Sequence, residues 1–196
     1  MPARASIARI ALAAATGAGV PLFTGNGFLA REVMALTPPG AGGVLPLQGG
    51  MGLSTSVAAG YLLSGRVSAA IVLEGDGNHL MGISGALLAG ALDLHLVHVV
   101  ACNGVYQSTG GQHLPIPAGP DRVHAAAAML SYRLACPAAS DGELEDALRQ
   151  ALRGPGPSLI YAAEDPAAPA PARSGATTAA YAAALAAPRP DIGTQQ

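Results

Sequence analysis

Six short runs of β-branched or apolar residues, separated by longer Ala/Leu-rich segments, constrain this chain more than any other feature of its sequence. The runs are Val20–Thr24, Val44–Leu47, Val67–Glu74, Leu94–Ala101, Tyr132–Cys136 and Pro157–Ala162. Short apolar runs of this kind are what strands buried on both faces look like. Helices are expected around them at Arg4–Ala15, Gly27–Leu36, Ser54–Leu63, His79–Leu92, Asp121–Leu130 and Gly142–Arg153. Ser140 and Glu143 have the spacing of a capping box and mark the start of the last of these. Alternation of strand and helix makes a parallel sheet with helices on its faces. The expected fold class is therefore α/β, a single doubly wound domain with a six-stranded parallel sheet.

A chain of 196 residues is long enough for one such core and short for two. The domain is expected to span residues 1–164. After Glu164 come an Ala/Pro tract, Pro166–Pro171, and a second Ala-rich stretch ending at Pro188. Small side chains bury little area, so residues 165–196 read as a partly disordered tail with one short helix at Thr177–Ala187. Only 11% of residues are charged, low for a free-standing soluble domain, which points to a surface partly covered by another subunit. A net charge of −2 without a basic stripe argues against a nucleic-acid partner. No apolar run approaches the roughly 18 residues needed to span a bilayer. The apolar stretch Ile7–Ala15 superficially resembles a leader, but Arg9 interrupts it, and it reads as a helix of the domain. Cys102 and Cys136 lack metal-ligand spacing and read as reduced, buried thiols, consistent with a cytoplasmic protein.

The segment that carries chemistry is Val72-Leu73-Glu74-Gly75-Asp76-Gly77-Asn78, a buried strand running through two glycines around an aspartate into a helix. It falls at a carboxyl strand end, where open α/β sheets bind ligands. Glycines there permit close backbone approach, and helix-start amides favour a phosphate. Asp76 would repel that phosphate unless a divalent cation lay between them. Mg²⁺ takes oxygen ligands and commonly shares them between protein and phosphate. Asn103, following the next predicted strand, is placed to add an amide oxygen, and Val105 a backbone carbonyl. A nicotinamide fingerprint fails, because Leu80 stands where its third glycine belongs.

Gly75-Asp76-Gly77-Asn78 with Asn103-Gly104 downstream resembles the thiamine diphosphate (ThDP) motif of the decarboxylase superfamily. The run Asn103–Gln112 is further similar to phosphonopyruvate and sulfopyruvate decarboxylases, and the similarity extends from about Phe23 to Tyr161. The resemblance implies the ThDP-binding fold with ThDP and Mg²⁺ as cofactors. Asp76, Asn103 and the Val105 carbonyl would ligate the metal. Thr24, Gly25 and Asn26, with Gly75, Gly77 and Asn78, would hold the diphosphate, and Tyr106 and Ser108 would complete the cofactor site. Met51, in Gln48-Gly49-Gly50-Met51-Gly52, matches the residue that wedges the cofactor into its bent form, and the Gly49 carbonyl would accept from the 4′-amino group. Bending sets that amino group beside the thiazolium carbon whose proton must leave. Ser108, Thr109, Gln112 and His113 would face a phosphonate or sulfonate, with His113 also a candidate for catalysis. His79 is expected to be mainly structural. His95 and His98, three apart on a strand, should point to opposite faces and serve packing or an interface rather than a metal.

Family members use a glutamate from a second, similar domain to activate the pyrimidine ring. Glu32, Glu143, Glu145 and Glu164 lie in segments that do not match that role. The expectation is a pyrimidine-binding-domain subunit that supplies the glutamate, in a heterodimer, heterotetramer or larger assembly. The expected activity is decarboxylation of a small anionic 2-oxo acid, 3-phosphonopyruvate or sulfopyruvate, to the aldehyde and CO₂. An acetolactate-synthase-like carboligase or ketol transferase is the alternative within ThDP chemistry. A non-catalytic cofactor-binding or regulatory subunit is the alternative outside it.

Overall fold

The computed structural model describes residues 1–38, 40, 42–116 and 118–186. All six expected strands form, as β1 (Leu22–Thr24), β2 (Val44–Pro46), β3 (Ala70–Gly75), β4 (Leu96–Cys102), β7 (Leu134–Ala138) and β8 (Ser158–Ala163). They make one parallel sheet in the order β2-β1-β3-β4-β8-β7. The chain runs from β1 outward to β2 and then crosses back to place β3 on the other side of β1. Connections therefore diverge between β1 and β3, and this switch opens a crevice at their carboxyl ends.

Alternation along the central strands divides the core. Ile71, Leu73, Val97, Val99 and Ala101 face α1 (Arg4–Ala18), α2 (Gly27–Leu36) and α7 (Asp141–Arg153). Ala70, Val72, Leu96 and Val100 face the layer that holds α3 (Ser54–Leu63), α5 (Ile83–Ala91) and α6 (Val123–Met129). A strand with helices on both sides has no polar face, which is why its sequence is apolar at consecutive positions. The same alternation separates His95 from His98. His95 Nε2 meets the Ala151 carbonyl of α7 at 3.3 Å, whereas His98 turns to Tyr132 on the opposite face. Cys102 and Cys136 are both free and buried.

The α7 cap forms as the spacing predicts: Ser140 Oγ accepts from the Glu143 amide at 3.3 Å, and the Glu143 carboxylate accepts from the Ala139 amide at 2.6 Å. Two helices differ from expectation. The segment His79–Leu92 is two helices, α4 (Asp76–Met81) and α5, interrupted at Gly82. A Cβ on Gly82 would stand 2.2 Å from the Gly52 carbonyl oxygen, so the break is where a neighbouring loop presses against the helix backbone. The segment Asp121–Leu130 begins as a 3₁₀ turn, Pro120–Arg122, before α6. A small antiparallel hairpin, β5 (Val105–Tyr106) and β6 (Gln112–His113), was not foreseen, because two-residue strands carry no readable period.

Beyond Glu164 the described chain lies against the domain. Helix α8 (Thr178–Ala186) is the expected short helix, and it docks beside β2. Tyr181, 2% exposed, donates to the Thr37 carbonyl at 2.7 Å, and Thr178 donates to the Pro46 carbonyl at 2.8 Å. Ala187, Pro188 and the remainder of the expected tail lie outside the described residues.

Candidate functional site

The carboxyl ends of β1, β3, β4 and β8 meet in one cleft. Asp76 opens α4 directly after β3 and is 2% exposed. Its Oδ1 accepts from the Gly77 amide at 2.9 Å, and its Oδ2 accepts from the amides of Asn103 at 3.0 Å and Gly104 at 2.7 Å. The carboxylate is thus aimed by backbone alone, and among the described residues no arginine or histidine forms an ion pair with it. Burial pushes the Asp76 carboxyl above its ordinary range, although those amide bonds pull it back. A cation beside it would relieve that penalty.

Asn103 follows β4 and has the Asx-turn geometry that places its oxygen near the chain ahead, with Oδ1 accepting from the Val105 amide at 3.0 Å. Asn78 links two strand ends: its Nδ2 donates to Asn26 Oδ1 at 2.9 Å, and its Oδ1 accepts from the Gly52 amide at 3.1 Å. Gly25 is needed for that contact, since a Cβ there would stand 2.9 Å from the Asn78 side chain. Gly77 leaves room for the Tyr106 ring, which a Cβ would approach to 2.5 Å. The amide-bearing start of α2, at Gly27 and Phe28, also lines the cleft and turns the positive end of its dipole toward it.

Asn26, Met51, Gly75 and Asp76 line the cleft together with Gly77, Asn78, Asn103, Val105 and Tyr106, and Ser108 and Thr109 border it. Other candidates stand apart. Thr24 is fully buried in β1, and Gly25 lies behind Asn78. Gly49, with a positive φ of 78°, is exposed beyond the cleft wall. Gln112 and His113 are exposed on the hairpin, where Gln112 Oε1 accepts from the Thr109 hydroxyl at 3.2 Å.

Residues that the sequence did not single out line the cleft as well, among them Gln107, Arg4 and Glu164. Arg4, on α1, is 1% exposed and donates through Nε to Glu164 Oε1 at 2.8 Å. Glu164, at the end of β8, is 3% exposed; burial raises its carboxyl, with Arg4 and Asn103 opposing. An arginine at the start of an Ala-rich helix gives no sign that it will be buried. The one signal was that Glu164 closely follows an apolar strand-like run.

Beneath the cleft runs a second polar group set. Glu74 Oε1 meets His98 Nε2 at 2.8 Å and lies 3.8 Å from His79 Nδ1, while Glu74 Oε2 accepts from the Ser54 hydroxyl. Tyr161 and Tyr132 bond His79 and His98 from the other side, at 3.0 and 3.3 Å. Burial alone would raise the Glu74 carboxyl, but the hydrogen bond and charge of His98, with His79 and Ser54, bring it below its ordinary range. His79 is buried away from the cleft, and desolvation, aided by His98 and opposed by Glu74, pushes its pKa down to about 4.

The cleft encloses about 80 Å³. Sites that surround a whole organic ligand usually enclose about 300–1,000 Å³. The donor set suits an anion bridged by a cation: oxygen ligands from Asp76, Asn103 and Val105, small residues for close approach, and a helix start facing inward. Thiamine diphosphate with Mg²⁺ fits that donor set at its diphosphate end.

The profile described as "Thiamine pyrophosphate enzyme, C-terminal TPP binding domain" matches residues 24–162. Phosphonopyruvate decarboxylase of Streptomyces viridochromogenes is 37% identical over 119 residues, which are 60% of this chain and 29% of that protein. Phosphonopyruvate decarboxylase of Streptomyces hygroscopicus is 36% identical over 114 residues, 58% of this chain and 28% of that protein. The aligned region is thus under a third of either relative. Among solved structures, benzoylformate decarboxylase from Polynucleobacter necessarius superposes with a TM-score of 0.69 at 19% identity, over 85% of this chain and 33% of that one. The 2-oxoglutarate:ferredoxin oxidoreductase from Magnetococcus marinus superposes with a TM-score of 0.65 at 12% identity, over 82% and 60%. At those identities the likeness concerns the fold alone.

Proposed function

The chain belongs to the thiamine pyrophosphate enzymes, matching their C-terminal TPP binding domain, and from that membership we propose that it is the cofactor-holding part of a 2-oxo acid decarboxylase. The substrate class is a 2-oxo acid with a second anionic group, 3-phosphonopyruvate first and sulfopyruvate second. The observation that carries the proposal is the buried Asp76 carboxylate, aimed by three backbone amides into a cleft it shares with Asn103. Asp76, Asn103 and the Val105 carbonyl would hold Mg²⁺; Asn26, Gly77, Asn78 and the start of α2 would hold the diphosphate; Met51 would set the cofactor's conformation. When bound, thiamine diphosphate supplies the electron sink that makes loss of CO₂ from a 2-oxo acid feasible. The chain's own part is to orient the diphosphate, neutralise its charge and exclude water from the strand ends. Identity to two phosphonopyruvate decarboxylases supports the substrate class.

The activating glutamate is assigned to a pyrimidine-binding domain on a partner polypeptide. Two observations support it. The cleft encloses too little volume to surround the whole cofactor, and exposed apolar side chains occur at Leu53 and on α3 to α5, including Leu63, Met81, Leu87 and Leu88. Calorimetry with ThDP and Mg²⁺, on the chain alone and with such a partner, followed by product analysis with 3-phosphonopyruvate, tests the proposal. Binding with CO₂ release supports it, and turnover only with a second carbonyl acceptor favours the carboligase. Asp76→Ala should abolish Mg²⁺-dependent ThDP binding; retention of tight binding would sink the metal assignment.

A further inference from the structure

We infer that Arg4 and Gln107 form a hydrogen-bond polarity relay that turns the Asn103 side-chain oxygen into a metal ligand, making both of them positioning residues. The inference rests on the reading of Asn103 as a cation ligand, and concerns why its amide presents oxygen rather than nitrogen.

Arg4 is the first residue of α1 but lies buried, 1% exposed, with its guanidinium 5.1 Å over the Phe28 ring. Burying such a charge is unfavourable unless its donors are met. They are: Nε donates to Glu164 Oε1 at 2.8 Å, Nη1 to the Pro169 carbonyl at 3.0 Å, and Nη2 to Gln107 Oε1 and, at 3.4 Å, the Ala168 carbonyl. A guanidinium has donors only. Gln107 must therefore turn its oxygen to Arg4, and its Nε2 donates instead to the Pro166 carbonyl at 2.7 Å.

That orientation decides the next amide. Gln107 Oε1 is also the atom that meets Asn103, and an oxygen there accepts only a donor, so Asn103 offers Nδ2 at 3.4 Å. With its nitrogen committed to Gln107, Asn103 keeps its oxygen for the Val105 amide at 3.0 Å and has one lone pair left for a cation. Reversing the amide would face a cation with N–H donors. The relay also explains why residues 166–169 lie along the domain: their carbonyls take the donors that Arg4 and Gln107 have left over.

The test compares Gln107→Lys, which offers donors only, with Gln107→Glu, which keeps an acceptor toward Arg4 and Asn103. Mg²⁺ affinity is measured calorimetrically with ThDP present, in whichever preparation, chain alone or partner complex, binds as wild type. Thermal unfolding checks that each variant folds. Loss of an outer-shell partner weakens metal binding by on the order of 10- to 100-fold. That loss is expected for Gln107→Lys and Arg4→Met, while Gln107→Glu stays close to wild type. Should Arg4→Met fail to fold, the two Gln107 variants decide the matter. Equal Mg²⁺ affinity in wild type and Gln107→Lys would overturn the relay, as would an equal loss in Gln107→Glu. Absence of Mg²⁺ binding by wild type in both preparations would overturn the metal reading of Asn103 itself, a distinct result.

Discussion

Side chains of one residue type are put to opposite uses here according to their surroundings. Glu74, near the end of β3, and Asp76, the first residue of α4, are two residues apart and both buried, yet Asp76 is held by backbone amides beside the cleft while Glu74 is held by His98 beneath it. His79 sets a stability limit of its own. Its pKa, about 4 when folded, lies below its ordinary 6.5, so the unfolded chain takes up the proton first as pH falls. The stability tied to a neutral His79 is present above about pH 6.5 and is lost as pH falls through about 4, amounting to about 3 kcal/mol. Denaturant unfolding of wild type and His79→Gln across that range should show a shallower acid slope in the variant. Equal slopes would place the acid sensitivity in Glu74 or another group. Taken singly, the residues of the Gly-Asp-Gly-Asn motif are ordinary turn formers; the motif was legible in sequence because Asn103-Gly104 follows it at the end of the next strand. Arg4 and Glu164 were not, since their burial depends on partners about 160 positions away.

Among the elements, the strands were read most faithfully and the short connections least. Central strands face helices on both sides, so each residue carries the signal, whereas the β5/β6 hairpin takes its shape from local bonds such as that of the Leu114 amide to the Gly104 carbonyl at 2.9 Å. The break between α4 and α5 has a tertiary cause. Gly82 backs onto Gly52, so Gly82→Ala should be destabilising by about 1–3 kcal/mol even though alanine favours helix. Urea unfolding checks this, and a neutral or stabilising result would show that the loop at Gly52 yields easily. Truncating the Ser140 cap to alanine should cost about 1 kcal/mol in the same assay, the usual worth of an N-cap side chain. The cap was readable because both its partners lie within four residues.

For the whole molecule, the exposed apolar side chains at Leu53 and on α3 to α5 and the small volume that the cleft encloses bear on the proposed partner. A pyrimidine-domain partner should bury them, so mixing should convert the chain into a larger species in sedimentation, with ThDP bound more tightly than by the chain alone. A complex that forms without any gain in cofactor affinity would argue for a regulatory partner. The α/β class, the strands buried on both faces and the Gly-Asp-Gly-Asn segment were legible in the sequence itself, because apolar periodicity and glycine placement are local properties that each segment carries wherever it lies. Only the tertiary structure decided that β1 and β3 part at the cleft, that Gly49 and His113 stand outside it, and that Arg4 reaches Glu164 and Gln107 behind Asn103. Those outcomes depend on pairing between segments distant in the chain, and hydrogen-bond polarity acquires direction only when both partners are in place.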